Sequence, residues 1–129
     1  MGLRTIVYTR CTTHSGLSAL IGKRCYPNML PENVTYPALR YTRISTINEQ
    51  YRTTTPTPTK REEARVQFDC FAETGDAAEA LADQVRAAWD GYQNSCTVGR
   101  AFQANRIEDY EDGLGVYRTI VDMIIEYAV

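Results

Sequence analysis

Histidine occurs once, at His14, and the four cysteines Cys11, Cys25, Cys70 and Cys96 stand far apart with no C-x-x-C among them. One imidazole and scattered thiols supply neither the paired knuckles of a structural zinc site nor a disulfide framework. Free buried thiols are therefore expected, and no metal or other cofactor. Long hydrophobic runs are missing too: the apolar tail 120–127 is broken by Asp122 and Glu126, and a bilayer span needs about 20 such residues. The opening MGLRTIVYTR has no apolar core and cleavage site of a secretory leader, and Ile6 stands where a myristoylation signal needs Ser or Thr. Without a leader, the sequon Asn33-Val34-Thr35 would go unused. An excess of one charge is also absent, since 14 Lys and Arg face 16 Asp and Glu for a net charge of −2. That balance excludes a chain whose main task is neutralising nucleic-acid phosphates. The expectation is a soluble protein made in a cytosol.

What is present is one modest core. The chain has 129 residues, 43% hydrophobic and 23% charged, which suits a single domain over 1–129. Residues 3–12 read as a short helix, with Leu3, Val7 and either Tyr8 or Cys11 on one side. Ser15 is placed to cap a second helical piece, 16–21, that Gly22 ends. The proline-bearing stretch 27–37 reads as loop. From Ala38 to Thr46, aromatic and β-branched residues predict a strand. Residues 48–63 hold almost no aliphatic side chain and include Pro56 and Pro58, so they read as a long exposed loop. Ala64–Ala72 alternates, Val66, Phe68 and Cys70 facing one way and Gln67 and Asp69 the other, as the hairpin partner of the preceding strand.

The clearest helix is 76–90, started by Asp76 or Thr74 and ended by Gly91, with Ala77, Leu81, Val85 and Trp89 four residues apart. Residues 95–107 are a weaker strand candidate centred on Val98–Phe102, and Glu108–Gly115 reads as an acidic turn. The last segment, 116–127, alternates most strongly: Tyr117, Thr119, Val121, Met123, Ile125 and Tyr127 share a face, and Arg118, Asp122 and Glu126 punctuate the other. Together these segments predict an α+β fold: a small antiparallel sheet of about four strands, one main helix packed on it, and a short N-terminal helical segment. The candidate core is Val66, Phe68, Leu81, Val85, Trp89, Val121, Met123 and Ile125.

Catalytic templates fail one by one. Cys11 stands three residues before His14, but nothing nearby supplies the orienting third group of a nucleophilic site. Aligning Glu108–Gly113 as a calcium loop puts Tyr110 and Thr119 where a short oxygen ligand and a bidentate Glu are required. Gly113-Leu114-Gly115 lacks the third glycine of a dinucleotide fingerprint and precedes a strand. The chain does not read as an enzyme. Arg40, Arg43, Arg52 and Arg65 could line one hairpin, either as a solvated face or as a surface that guides passing DNA.

The order of segments resembles the tail-completion, or head-to-tail joining, proteins of long-tailed bacteriophages. The resemblance rests on Leu3-Arg4 opening a helix, on Leu17–Pro27 with its glycine and aromatic-Pro step, and on Tyr36–Tyr41 as "Pro then strand". It continues through Arg65–Phe71, whose pattern is apolar-Gln-apolar-Asp-x-aromatic, and the helix Ala77–Trp89. The most distinctive piece is Asp109–Tyr127, an acidic turn leading into Tyr-Arg-x-x-x-Asp. The Thr/Pro stretch 53–59 has no counterpart to align.

The resemblance implies a structural virion protein of the tail or neck, assembled in the host cytoplasm. Such a protein forms a ring, usually six-fold, at the head-proximal end of the tail, where it ends tube polymerisation. Its implied partners are further copies of itself, the tail tube protein and a head-side connector or stopper. Double-stranded DNA would pass through the lumen without sequence-specific binding, and no membrane is involved. A closed ring needs heterologous interfaces, each burying roughly 1,200–2,000 Å². The candidate contact elements are the N-terminal helix, the 48–63 loop and a sheet edge at 116–127. The candidate inter-subunit or lumen contacts are Arg40, Arg43, Arg52, Thr54, Pro56, Lys60, Arg61, Tyr117 and Arg118. The alternatives are another neck component, such as a head-completion or minor tail adaptor protein, and a small nucleic-acid-binding module using the Arg-rich hairpin.

Overall fold

The computed structural model describes the backbone of residues 2–52, 59–94, 98–113 and 115–128. The elements in chain order are α1 (Leu3–Thr13), α2 (Ser15–Ile21), β1 (Cys25–Pro27), β2 (Ala38–Arg52), β3 (Thr59–Ala72), α3 (Gly75–Trp89), β4 (Val98–Glu111) and β5 (Val116–Ala128). The fold is α+β, with the helices layered on one face of a single sheet.

Local chemistry sets the helix ends. The cap of α2 is His14, one residue earlier than the expected Ser15: the imidazole Nδ1 accepts the Leu17 N–H at 3.3 Å. Gly22 ends α2 at φ +58°, a left-handed conformation that side chains disfavour. Thr74 Oγ1 accepts the Ala77 N–H at 3.1 Å and starts α3, while Asp76 and Arg86 complement the dipole in its first and last turns. The buried face of α3 is Ala78, Leu81, Ala82, Val85, Ala88 and Trp89. Ala77, expected on that stripe, is exposed, because the stripe turns about the helix axis at its start.

The sheet order is β1-β2-β3-β5-β4; β1 is parallel to β2 and every other junction is antiparallel. Five strands in a mixed sheet replace the expected four or so. The added strand is β1, three residues too short to show a period, held by the register Cys25↔Leu39 to Pro27↔Tyr41.

Three further expectations are corrected. Most of 48–63 is strand: the β2–β3 ladder runs from Asn48↔Glu63 out to Arg52↔Thr59. The side chains there read as solvent-seeking, yet Arg61 and Glu63 are buried, held by ion pairs to Glu126 on β5 and Arg100 on β4. Glu108–Glu111 also belongs to a strand, β4, because Arg118 across the ladder faces Asp109 and Glu111. Finally, 116–127 is no edge. β5 lies between β3 and β4, which is why Ile120 and Ile124 on its second face are half-buried as well.

The core lies between the sheet and α3. Val66, Phe68, Leu81, Val85, Trp89, Val121, Met123 and Ile125 are all buried. Trp89 packs 6.0 Å from Phe68 and edge-on at 5.7 Å to Tyr92. Burying Leu81 and Val85 contributes roughly 1.5–3 kcal/mol each. Arg10 ties α1 to α3, its Nε donating to the Ala88 carbonyl at 2.9 Å and its guanidinium lying 3.9 Å over Tyr92. Cys11, Cys25 and Cys70 are buried and free. A hydrogen bond with Cys11, and then burial, push the Cys25 thiol up, and burial does the same for Cys70, so both stay protonated and unreactive. Cys96 lies outside the described residues.

Candidate functional site: the open face of the sheet

A strand sends alternate side chains to opposite faces, so once one face packs under the helices the other is fixed as well. That second face carries no helix. Read across the register β2–β3–β5–β4, its rows are Ala38/Phe71/Arg118/Asp109, then Arg40/Asp69/Ile120/Ile107, then Thr42/Gln67/Asp122/Asn105. The rows after these are Ser45/Arg65/Ile124/Phe102 and, over β3–β5–β4, Glu63/Glu126/Arg100.

Arginines and acids interleave on these rows and hold one another. Arg40 pairs with Asp69 at 2.8 Å, and Gln67 Nε2 donates to the other Asp69 oxygen at 3.0 Å. Arg65 pairs with Asp122 at 2.6 Å. Arg100 bonds Glu63 and reaches Glu126 at 3.5 Å, and Arg61 approaches Glu126 at 3.6 Å. The Glu63 contact pushes the Arg100 guanidinium up from its ordinary value. Arg118 stands among Asp69 at 4.0 Å, Asp109 at 3.6 Å and Glu111 at 3.1 Å. Gly99 permits part of this lattice: a Cβ there would stand 2.4 Å from Arg61 Nη1 and 2.6 Å from Glu126 Oε1.

Beside the charged rows runs an apolar strip. Ile107 is paired across the ladder with Ile120, and Phe102 with Ile124. Ile107 and Phe102 remain 50% and 39% exposed, so the strip is open to a partner. The surface combines self-compensated charge with accessible aliphatic groups. That chemistry suits contact with another folded surface. Among the described residues no group of three or more His, Cys, Asp and Glu is placed to hold a metal ion, and no helix is long and apolar enough to cross a membrane.

The helix side has one cleft of note, about 550 Å³, where the start of α1 leaves the sheet uncovered. Leu3, Val7, Tyr41 and Val66 form its apolar wall, and Arg4, Asn28 and Arg43 its polar rim. Arg43 Nη2 donates to Tyr127 Oη at 2.8 Å, and Tyr127 in turn donates to Glu62 Oε2 at 2.6 Å. Burial first, and then the bond to Glu62, push the Tyr127 hydroxyl up to about 12.

The expected contact residues fall in different places. Arg40, Arg61 and Arg118 share the open face, Arg61 largely buried. Arg43 points to the helix side, and Tyr117 stacks edge-on with Tyr110 at 4.9 Å at the end of the β4–β5 hairpin. Arg52 and Lys60 sit in the outer β2–β3 ladder, and Thr54 and Pro56 lie outside the described residues. Sequence reasoning missed the acids Asp69, Asp122, Glu63 and Glu126 that hold these arginines. The available signal was the same-face spacing 65/69 and 118/122/126, which puts an arginine and acids on one face of each strand.

The family described as tail completion protein gp17 matches residues 5–127. A solved chain from the virion of a native gene transfer agent particle superposes with a TM-score of 0.64 at 14% identity. That match covers 98% of this chain and 95% of the other. None of the curated proteins matches the chain.

Proposed function

The chain belongs to the gp17 family of tail completion proteins, and from that membership we propose that it closes a ring of six copies at the head-proximal end of a phage tail. It is a structural protein of the virion tail. The ring ends polymerisation of the tail tube, docks to the head-side connector and lets double-stranded DNA pass through its lumen without reading sequence.

The observation that carries this reading is the family match over 5–127. The open face supports it: Arg40, Arg65, Arg100 and Arg118 each already hold a carboxylate. Such a surface has few counterions to exchange for phosphates, so it gains little by gripping nucleic acid. A nucleic-acid-binding module would instead need free cations and unstacked aromatic rings on that face.

Electron microscopy of lysates from phage lacking this chain tests the proposal. Overlong, headless tubes are the expected result. Normal tails beside filled, unattached heads would move the role to a head-completion or adaptor protein. Intact infectious particles would overturn both, and filter binding across a salt series would then test the nucleic-acid module.

A further inference from the structure

The outermost long strands are left unpaired over different stretches of their lengths. On one flank β1 covers β2 only at Leu39–Tyr41, so from Thr42 to Arg52 the outer side of β2 has no strand beside it among the described residues. On the other flank the chain after α3 folds over the first half of β4. Gly91 N–H donates to the Ala101 carbonyl at 2.9 Å, and Gln103 N–H to Asp90 Oδ1 at 3.1 Å. Asn94 and Val98 exchange both backbone bonds, at 2.8 and 3.0 Å. From residue 104 to Glu111 no strand flanks the outer side of β4 among the described residues. Unpaired N–H and C=O groups in such a row are a template for another strand.

Topology fixes the kind of partner. Three antiparallel junctions separate β2 from β4, so these strands run in opposite directions. A second copy set beside the first by rotation about a ring axis therefore offers its β2 antiparallel to β4. The helices of both copies then lie on the same side of the joined sheet.

The side chains agree with that juxtaposition. Among the described side chains, Ile44 on the free stretch of β2 is 49% exposed and Ile107 on that of β4 is 50% exposed. With these two opposite each other in an antiparallel pair, the exposed Arg43 falls opposite Glu108. The part of the free stretch that this register sets against β4, residues 42–47, contains Arg43 and no acid, whereas 108–112 contains Glu108, Asp109, Glu111 and Asp112. Pairing β4 with another β4 would lay that acidic stretch on itself, and like charges opposite one another destabilise a ladder. Arg106, the only cation between 104 and 112, is already held by Asp83 at 2.8 Å and the Glu79 carbonyl at 3.1 Å on α3.

We propose that a second copy of this chain adds the free stretch of its β2 to the free stretch of β4, head to tail, so that one sheet runs on from subunit to subunit. This rests on the ring reading and names the surface that closes the ring.

Cross-linking of the full-length chain tests it, in a Cys96→Ser background that leaves only the buried native thiols. Ile44→Cys and Ile107→Cys chains are co-expressed, oxidised and run on a denaturing gel, and the oligomer is sized by native mass spectrometry. Either variant alone should give no covalent dimer. The co-expressed pair should give dimers, and a chain carrying both substitutions a ladder up to the full ring. A closed oligomer without a 44–107 cross-link overturns the edge pairing and leaves the ring intact, as does a dimer from Ile107→Cys alone. A monomer without cross-links overturns the ring reading as well. Ile107→Lys should weaken association tenfold or more while leaving the melting temperature of the subunit unchanged; unchanged association would again overturn the pairing.

Discussion

Arg40 places both Nε and Nη2 on one oxygen of Asp69, at 2.9 and 2.8 Å, across 29 residues of chain. The Asp69 side chain is wholly buried, while the Arg40 side chain keeps a quarter of its surface in solvent. Removing the acid therefore leaves a cation committed to a partner that is gone, with Arg118 also facing the vacated position. Asp69→Ala should cost about 3–5 kcal/mol in urea denaturation. Adding Arg40→Met to it should recover part of that loss, a coupling of roughly 0.5–3 kcal/mol in a double-mutant cycle.

Trp89 is fully buried between Phe68 and Tyr92, so truncating it removes a large ring from the core. Trp89→Ala should destabilise the subunit by about 3–5 kcal/mol. Equilibrium unfolding followed by circular dichroism measures it, since the variant lacks the only tryptophan.

His14 is the only histidine, and its Nδ1 accepts the bond that caps α2. Burial, and then the charge of Arg10, lower its pKa below 6.5. A lowered pKa means that the folded protein prefers the neutral ring. The stabilisation is therefore complete above pH 6.5 and is lost as pH falls through the folded value. His14→Asn keeps a capping acceptor that does not titrate. Thermal melts should show the wild type losing stability below pH 6.5 more steeply than the variant.

Gly99→Ala puts a methyl group where Arg61 and Glu126 now meet. Both obstructing atoms are ends of side chains, so the fold survives and the ion pair moves apart. The expected cost is about 1–3 kcal/mol, because the buried Arg61 guanidinium, whose Nε and Nη1 have no hydrogen-bond partner among the described residues, loses its ion pair with Glu126. In an Arg61→Met background the same change should cost clearly less, as chemical denaturation of the two pairs will show.

The elements legible in the sequence are those whose burial follows from their own period. Leu81, Val85 and Trp89 announce α3, and Val66, Phe68 and Cys70 announce β3, because each buries an apolar face that local spacing displays. The outer β2–β3 ladder was misread for the opposite reason. Arg61 and Glu63 count as solvent-seeking in any local reading, and only Glu126 and Arg100, far along the chain, make their burial tolerable. Asp109 and Glu111 looked like a turn until Arg118 stood across from them. The candidate site was half legible on the same grounds. Its arginines were visible, but Arg65 meets Asp122 across 57 residues, and no local pattern specifies that register.

The central position of β5 has a consequence during synthesis. Everything up to residue 115 can emerge from a ribosome and still lack the strand that joins the β2–β3 hairpin to β4. Until then Val66 and Phe68 have neither Met123 nor Val121 beside them, and the inner side of β3 waits as a bare edge. Such late, non-local closure is slow compared with helix formation. A nascent chain of this protein is thus most exposed to misassociation just before its last strand arrives, and its neighbours on a crowded polysome are further copies of itself.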